Sequence, residues 1–107
     1  MATAVPEVVT TAAGMVGSLA AQLGKLAGAR VVGLTSREEK CRYLLEELHL
    51  DAAINYRQSR DLAAELAAAC PAGVDYFFDN CGGPVSDAVK TCMNPACLLY
   101  TSDAADE

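Results

Sequence analysis

The stretch Ala12-Ala13-Gly14-Met15-Val16-Gly17 decides the fold of this chain. A β-branched run at 8–11 precedes it and predicts a strand, and apolar residues at spacings of three and four follow it and predict a helix. Strand, glycine turn and helix in this order are the context in which a dinucleotide phosphate-binding turn occurs. Gly14 would let the backbone approach a pyrophosphate closely, and Gly17 would let the helix pack tightly against the strand. The free N–H groups at the start of the helix would then face the phosphates.

The match to the dinucleotide pattern G-x-G-x-x-G is partial. Ala12 stands where the pattern has its first glycine. A tight strand-to-helix connection that binds nothing therefore remains the alternative for this turn.

Strands and helices alternate along most of the chain. The hydrophobic periodicity and the Gly and Pro punctuation predict strands at 7–11, 30–34, 52–56 and 74–79, and helices at about 15–27, 37–48, 61–70 and 85–93. Ser36 is expected to cap the second helix, with Glu39 completing a capping box, and Gly28 to end the first. Such alternation builds right-handed βαβ units. The predicted fold class is α/β, a truncated doubly wound parallel sheet of the Rossmann type with about four strands.

Composition and charge narrow the function classes. The 107 residues are enough for one small domain, and no apolar run approaches the roughly 20 residues of a membrane span. The net charge of −6 argues against nucleic acid or an anionic membrane as a partner. The five cysteines lack C-x-x-C spacing and the chain has one histidine, so we expect no metal site and buried, reduced thiols, as in a cytoplasmic protein.

Four separated blocks together resemble a known family. They are TTAAGMVGS (10–18), RVVGLTSREEKC (30–41), DAAINY (51–56) and PAGVDYFFDNCGG (71–83). On these blocks the chain resembles the zinc-independent medium-chain dehydrogenases/reductases. Within them it is similar to the branch of prostaglandin reductases and NADP-dependent alkenal/alkenone oxidoreductases, closest to the 15-oxoprostaglandin 13-reductase type. The resemblance covers roughly residues 7–94.

The resemblance implies an activity for the parent protein. Members of the family place a Rossmann domain within a GroES-like catalytic domain, form homodimers, and use NADP(H) to reduce the C=C bond of α,β-unsaturated ketones and aldehydes. This chain would then be a partial NADP-binding domain over residues 1–96. The catalytic residues would lie outside it, and the chain alone would be inactive.

The resemblance also implies cofactor contacts, residue by residue. Backbone N–H groups of four residues would cradle the pyrophosphate: Gly14, Met15, Val16 and Gly17. Lys40 and Tyr56 match positions at the adenosine 2′-phosphate, and Asn80 matches a contact at the end of the fourth strand.

Residues after the second strand independently favour NADP over NAD. An NAD site carries a carboxylate there to bind the ribose 2′-OH, whereas this chain has Thr35, Ser36 and Arg37, with Lys40 nearby. Hydroxyl groups and cations suit a phosphate. The acidic pair 38–39 opposes this and is expected to point away, in the first turn of the helix.

Other residues of the fourth strand receive structural roles. Asp75 and Asp79 would lie about 13 Å apart on one face, too far to share a proton, and are interpreted as strand-end and loop-capping residues. Tyr76, Phe77 and Phe78 are predicted to be core residues.

The C-terminal stretch CLLYTSDAADE (97–107) differs from the rest, because no periodicity in it continues the fold. It resembles the translation of a transposon-derived sequencing adapter, so we expect the native sequence to end at about Ala96. A genuine acidic tail is the alternative.

Two other functions remain open at this stage. One is a non-catalytic NADP-binding redox sensor module, and the other is the enoyl reductase domain of a polyketide-type system. The domains that flank this stretch in the complete gene would distinguish them.

Overall fold

A computed structural model describes residues 5–101, which form a five-stranded, all-parallel sheet with helices between the strands. The strands are β1 (Pro6–Thr10), β2 (Arg30–Thr35), β3 (Ala52–Asn55), β4 (Val74–Asp79) and β5 (Met93–Thr101). The helices are α1 (Met15–Leu26), α2 (Glu38–Glu46), α3 (Leu62–Ala69) and α4 (Gly83–Lys90). The predicted α/β fold class is confirmed, with one strand more than expected.

The sheet order is β3-β2-β1-β4-β5, so the chain reverses its direction of travel across the sheet between β1 and β4. Two apolar clusters cover the two faces. Residues of α1 and α2, among them Ala21 and Leu44, pack with Val9 and Val31 on one face. Residues of α3 and α4, among them Leu66 and Val89, pack on the other. The reversal therefore lies at the centre of a doubly wound sheet.

Local chemistry accounts for most element boundaries. Asp61 caps α3 by accepting a hydrogen bond from the Ala64 amide at 3.1 Å, and Gly28, with a φ of 89°, ends α1 as predicted. The prediction that Ser36 and Glu39 form a capping box at α2 is wrong. The N-cap is Arg37, with no side-chain cap hydrogen bond, and the helix ends at Glu46 instead of at about residue 48. Two glutamates in its first turn stabilise the helix start through the helix dipole instead.

Small residues face the sheet from α1. Gly17 and Ala21 are the buried positions of the helix. A Cβ at Gly17 would collide with the backbone of Thr11, and one at Gly24 with the side chain of Glu7. The larger apolar residues of the helix, on which its periodicity rests, are exposed instead: Met15, Val16, Leu19, Leu23 and Leu26.

The second half of the sheet is less covered than its sequence predicts. Phe77 is buried, but Tyr76 is 46% exposed, so the prediction that it is a core residue is wrong. Phe78 is half-buried and stacks on Tyr100 of β5 with ring centroids 5.8 Å apart. On the face of the sheet that carries Phe78, α1 and α2 lie over β1, β2 and β3, so β4 and β5 have no helix above them on that face.

β5 is an element that the sequence analysis missed. Leu98 to Thr101 pair with β4 in parallel register after an irregular stretch that contains Pro95, as an edge strand tolerates. Part of the stretch 97–107 thus takes part in the sheet, and residues 102–107 lie outside the described part. Within residues 5–101, no helix is both long and apolar enough to cross a membrane.

Candidate functional site

The carboxyl ends of four parallel strands bring the predicted cofactor residues to one edge of the sheet. Gly14 follows β1, Ser36 follows β2, Tyr56 follows β3 and Asn80 follows β4. The Tyr56 amide donates to the Thr35 carbonyl at 3.0 Å, which ties Tyr56, after β3, to the end of β2. In open α/β sheets ligands bind outside this edge, at the point where the strand order reverses.

The turn after β1 leaves the start of α1 without a protein partner for its amides. Gly14 is the N-cap, and no side chain caps the helix. The first amides of a helix have no intrahelical acceptor. Those of Met15, Val16 and Gly17 are therefore suited to an anion. The Gly14 amide is not, because it donates to the Thr11 carbonyl, so the expectation that all four amides are free is wrong for Gly14. Met15 and Val16 themselves point their side chains to solvent.

Thr11 carries the strain of this turn. Its φ of 52° is left-handed, a conformation that β-branched residues rarely adopt, and the Gly14 amide donates to its carbonyl at 2.9 Å. Strain of this kind costs roughly 1–3 kcal/mol and tends to occur at functional sites. The dinucleotide pattern in the sequence begins at Ala12, so it gave no indication of the conformation of Thr11.

The predicted 2′-phosphate end is polar and exposed. Arg37 lies 3.6 Å from Glu39, with both side chains more than half exposed, so this ion pair is weak and easily exchanged. Glu38 accepts from the Asn55 side chain at 3.4 Å. The two acidic residues thus have partners of their own, and Lys40 is exposed on the first turn of α2.

The loop after β4, residues 80–83, is tied to β1. The Asn80 amide donates to Thr10 Oγ1 at 2.7 Å, and Asn80 Nδ2 donates to the Thr10 carbonyl at 3.1 Å. Thr10 Oγ1 in turn donates to the Phe78 carbonyl at 3.3 Å. Asn80 is therefore held beside the end of β1, at the reversal point between β1 and β4.

Asp79 organises the rest of that loop. Its Oδ1 accepts from the amides of Cys81 and Gly82 at 3.0 and 2.9 Å, and its Oδ2 accepts from Ser86 Oγ at 2.7 Å. Burial raises the pKa of Asp79, but the hydrogen bonds from Gly82, Ser86 and Cys81 and the charge of Lys90 outweigh it and hold the pKa below its usual value. The loop-capping role expected of Asp79 is confirmed.

Thr10 and Ser86 were missed by sequence reasoning. Both are buried polar residues, which need partners, but their partners come from other elements of the fold. A threonine at a strand end and a serine in a helix carry no local signal of such a role.

The cysteines are all free thiols. Burial raises the pKa of Cys41, Cys70 and Cys97, so these thiols are less prone to ionise than usual. Cys81 is exposed on the loop after β4, so for this residue the expectation of a buried thiol is wrong.

The family model described as "Zinc-binding dehydrogenase" matches residues 15–100. In the part of the chain that the structure describes, no three His, Cys, Asp or Glu side chains are grouped to hold a metal ion. The residues present in that part of the chain therefore do not fit the zinc named in that description.

Several proteins are similar to this chain. An NADP-dependent oxidoreductase of Bacillus subtilis (strain 168), YfmJ, is 53% identical over 104 residues, which are 92% of this chain and 31% of that protein. The NADPH-dependent curcumin reductase of Escherichia coli (strain K12) is 43% identical over 105 residues, 94% of this chain and 30% of that protein. Prostaglandin reductase 1 of Mus musculus is 46% identical over 81 residues, 76% of this chain and 24% of that protein.

A solved structure agrees with these matches. CurA of Vibrio vulnificus in complex with NADPH has a TM-score of 0.85 and 40% identity, covering 90% of this chain and 28% of that one. This chain therefore spans less than a third of the length of the relatives that it matches.

Proposed function

The chain belongs to the zinc-binding dehydrogenase family, and from this premise we propose that it is the nucleotide-binding part of an NADPH-dependent reductase. The observation that carries the proposal is the meeting of the uncapped α1 start and the Asn80 loop at the reversal point of the sheet. The relatives, an oxidoreductase and two reductases by name, support a reductase rather than a sensor module.

The residues present fit NADP(H). The orphan amides at 15–17 suit the pyrophosphate, and Gly82 and Gly83 leave open space beside their backbone. When bound, this cofactor supplies a hydride. The part described would bind and orient it through the edge of the sheet.

The choice of NADP over NAD is proposed to rest on four residues. Ser36, Arg37 and Lys40 lie after β2 and at the start of α2, and Tyr56 follows β3 beside them. The cations would neutralise a 2′-phosphate, and the hydroxyl groups would donate hydrogen bonds to it. The two neighbouring glutamates do not point away as expected: Glu38 accepts from Asn55 at the end of β3, and Glu39 pairs with Arg37 itself. A 2′-phosphate would therefore have to displace the exposed Arg37–Glu39 pair.

The proposed substrates are α,β-unsaturated ketones and aldehydes, of the 15-oxoprostaglandin or alkenal kind. Hydride would be added at the β-carbon of the C=C bond, and the resulting enolate would take up a proton. The curcumin and prostaglandin reductases among the relatives support this class. We assign no catalytic residue to this chain and propose that alone it has no turnover. The parent is proposed to be a cytoplasmic homodimer, without nucleic acid or membrane partners.

A substitution at Lys40 tests the cofactor assignment. In the protein extended to the length of its relatives, Lys40→Ala should weaken NADPH binding by about 1–3 kcal/mol, because a hydrogen bond to a charged group is lost. NADH binding should hardly change, as NADH has no 2′-phosphate. Dissociation constants for both cofactors measure this, with Arg42→Ala on the same helix as the control. An equal loss for both cofactors would remove Lys40 from the 2′-phosphate site.

Recovery of the genomic DNA across codon 96 tests the organisation of the parent. We propose that residues 97–107 are adapter-derived and that residues 1–96 continue into further βα units, with a GroES-like half upstream. A gene that ends at Glu107 would contradict the adapter origin and favour the sensor module. Flanking carrier or ketoreductase modules would favour the polyketide-type enoyl reductase.

A further inference from the structure

The loop at 80–83 contains two glycines whose conformations nothing in their own packing explains. Gly82 and Gly83 have φ values of 72° and 62°, both left-handed. At neither position would an added Cβ meet any atom within 4 Å. At Gly17, Gly24 and Gly33 the protein itself fills that space, whereas Gly28 is as open as the loop glycines, and its left-handed φ is explained by its place at the end of α1. The space over the loop is therefore open to something that approaches the backbone from outside.

Two adjacent glycines have many accessible backbone conformations. Hydrogen bonds from elsewhere in the protein are needed to hold the loop in one of them. Glycine loses more conformational freedom on ordering than any other residue. Asp79 provides this restraint by accepting three hydrogen bonds, from the backbone amides of Cys81 and Gly82 and from the Ser86 hydroxyl. It is itself buried at the end of β4, so it joins the strand, the loop and α4 at one carboxylate.

The position of the loop indicates which part of the cofactor it serves. A dinucleotide lies across the carboxyl edge of the sheet with its pyrophosphate at α1. The proposed 2′-phosphate residues lie on the β2 and β3 side of α1, and the loop follows β4 on the other side. The nicotinamide half of a bound cofactor would therefore extend towards residues 80–83.

We propose that Asp79 is a positioning residue for the nicotinamide half of the cofactor, acting through the backbone of residues 80–83. This inference rests on the proposed function. Asp79 does not touch the cofactor. It keeps Gly82 and Gly83 in the one path that leaves their open side towards the nicotinamide, while Thr10 holds Asn80 at the start of the same loop.

Comparing the affinity for the whole cofactor with the affinity for its adenosine half distinguishes a positioning role of Asp79 from a general effect on stability. The ligands are NADPH, and adenosine 2′,5′-bisphosphate, which lacks the nicotinamide half. In the full-length reductase, Asp79→Ala should weaken NADPH binding by about 10- to 100-fold, since charge-assisted hydrogen bonds that order the loop are lost. Bisphosphate binding should not change, and the ratio of NADPH to NADH affinity should stay as it is in the wild type.

Two further variants make the result specific. Asp79→Asn should recover most of the NADPH affinity, because its amide oxygen can accept the same two N–H bonds and its NH₂ group can donate to the Ser86 hydroxyl. Asp75→Ala is the matched control, a carboxylate at the other end of β4 that accepts from Asn94 at 2.7 Å. It should leave the affinity for both ligands unchanged.

Each outcome decides one statement. Equal loss of NADPH and bisphosphate binding by a folded Asp79→Ala protein, or no loss of NADPH binding, would overturn the positioning role alone. A wild-type protein that binds neither ligand would overturn the proposed function and the inference with it. If thermal melting shows that Asp79→Ala is unfolded, Ser86→Ala takes its place, with an NADPH loss of about 2- to 12-fold for one hydrogen bond. Ser86→Ala without that loss would overturn the role as well.

Discussion

Glu7 is the residue whose environment departs furthest from the ordinary. It lies in β1 under α1, in a groove whose apolar lining includes Leu23, Tyr76 and Tyr100. Among the residues that the structure describes, its Oε1 is buried and has no hydrogen-bond partner. Burial raises the pKa of Glu7 from 4.5 to about 7. A carboxyl with this pKa favours folding only while it is protonated.

Glu7 should therefore make the stability of the chain depend on pH. Between pH 4.5 and about 7 the unfolded chain loses the Glu7 proton while the folded chain retains it, so the free energy of unfolding should fall as the pH rises. Glu7→Gln should flatten this slope, because an amide does not ionise, and should stabilise the chain at the upper end by about 1–3 kcal/mol, since one pKa unit corresponds to about 1.4 kcal/mol. Urea denaturation across this pH range measures both effects. The exposed Glu46→Gln is the control, and a slope unchanged by Glu7→Gln would contradict the assignment.

At the scale of the elements, α1 docks through its smallest residues. Gly17, Ala21 and Gly24 bring the helix axis close to β1 and β2, and this proximity places the free amides at its start over the sheet edge. The apolar periodicity of the segment correctly predicts a helix. The expectation that Gly17 lets the helix pack tightly against the strand is confirmed, and the large apolar side chains turn outward because close approach requires small ones.

Gly17→Ala should test this docking. Alanine favours a helix over glycine by about 1 kcal/mol, but here its Cβ would press on the rigid backbone of Thr11. The expected net effect is a destabilisation of about 1–3 kcal/mol, typical of overpacking, read from the urea midpoint. Gln22→Ala, on the exposed side of α1, is the control for a change that meets no backbone, and should alter the midpoint little, because Gln is already a good helix former and loses only an exposed bond to the Ser18 carbonyl. Stabilisation by Gly17→Ala would mean that the helix can move away at little cost.

At the scale of the whole molecule, the two faces of the sheet differ in coverage. The face under α3 and α4 is packed. On the other face the outward side of α1 and the open parts of β4 and β5 expose large apolar side chains: Met15, Leu19, Leu23, Leu26, Tyr76, Leu98 and Tyr100. Apolar surface of this kind favours association, and β5 adds an edge strand beside it.

The 107-residue chain should consequently self-associate through this face. Leu23→Gln, in the middle of the face, should lower the concentration dependence of the sedimentation coefficient, because apolar contact area is lost. Leu45→Gln is a matched control: it is an exposed leucine of α2, which lies over β2 and β3. Equal effects of the two changes would show that association does not depend on the α1 face.

The chain order of strands, helices and turns followed from local signals. β4 has the bounds predicted for it, and Gly28 ends α1 as expected. Propensity, periodicity and capping depend on neighbours along the chain, so the sequence carries them directly. The candidate site residues could be placed after strand ends because the strand bounds themselves follow from these local signals.

The sequence alone determined the alternation of elements, the glycine turn and the residue types placed after each strand. Tertiary structure decided the strand order, the strand at 93–101, and the bonds of Thr10 to Asn80 and of Asp79 to Ser86. Parallel pairing joins residues far apart in the chain: Thr10 and Asn80 are separated by 70 positions. No local pattern encodes such a contact, because its energy arises only once the sheet has brought the two strand ends together.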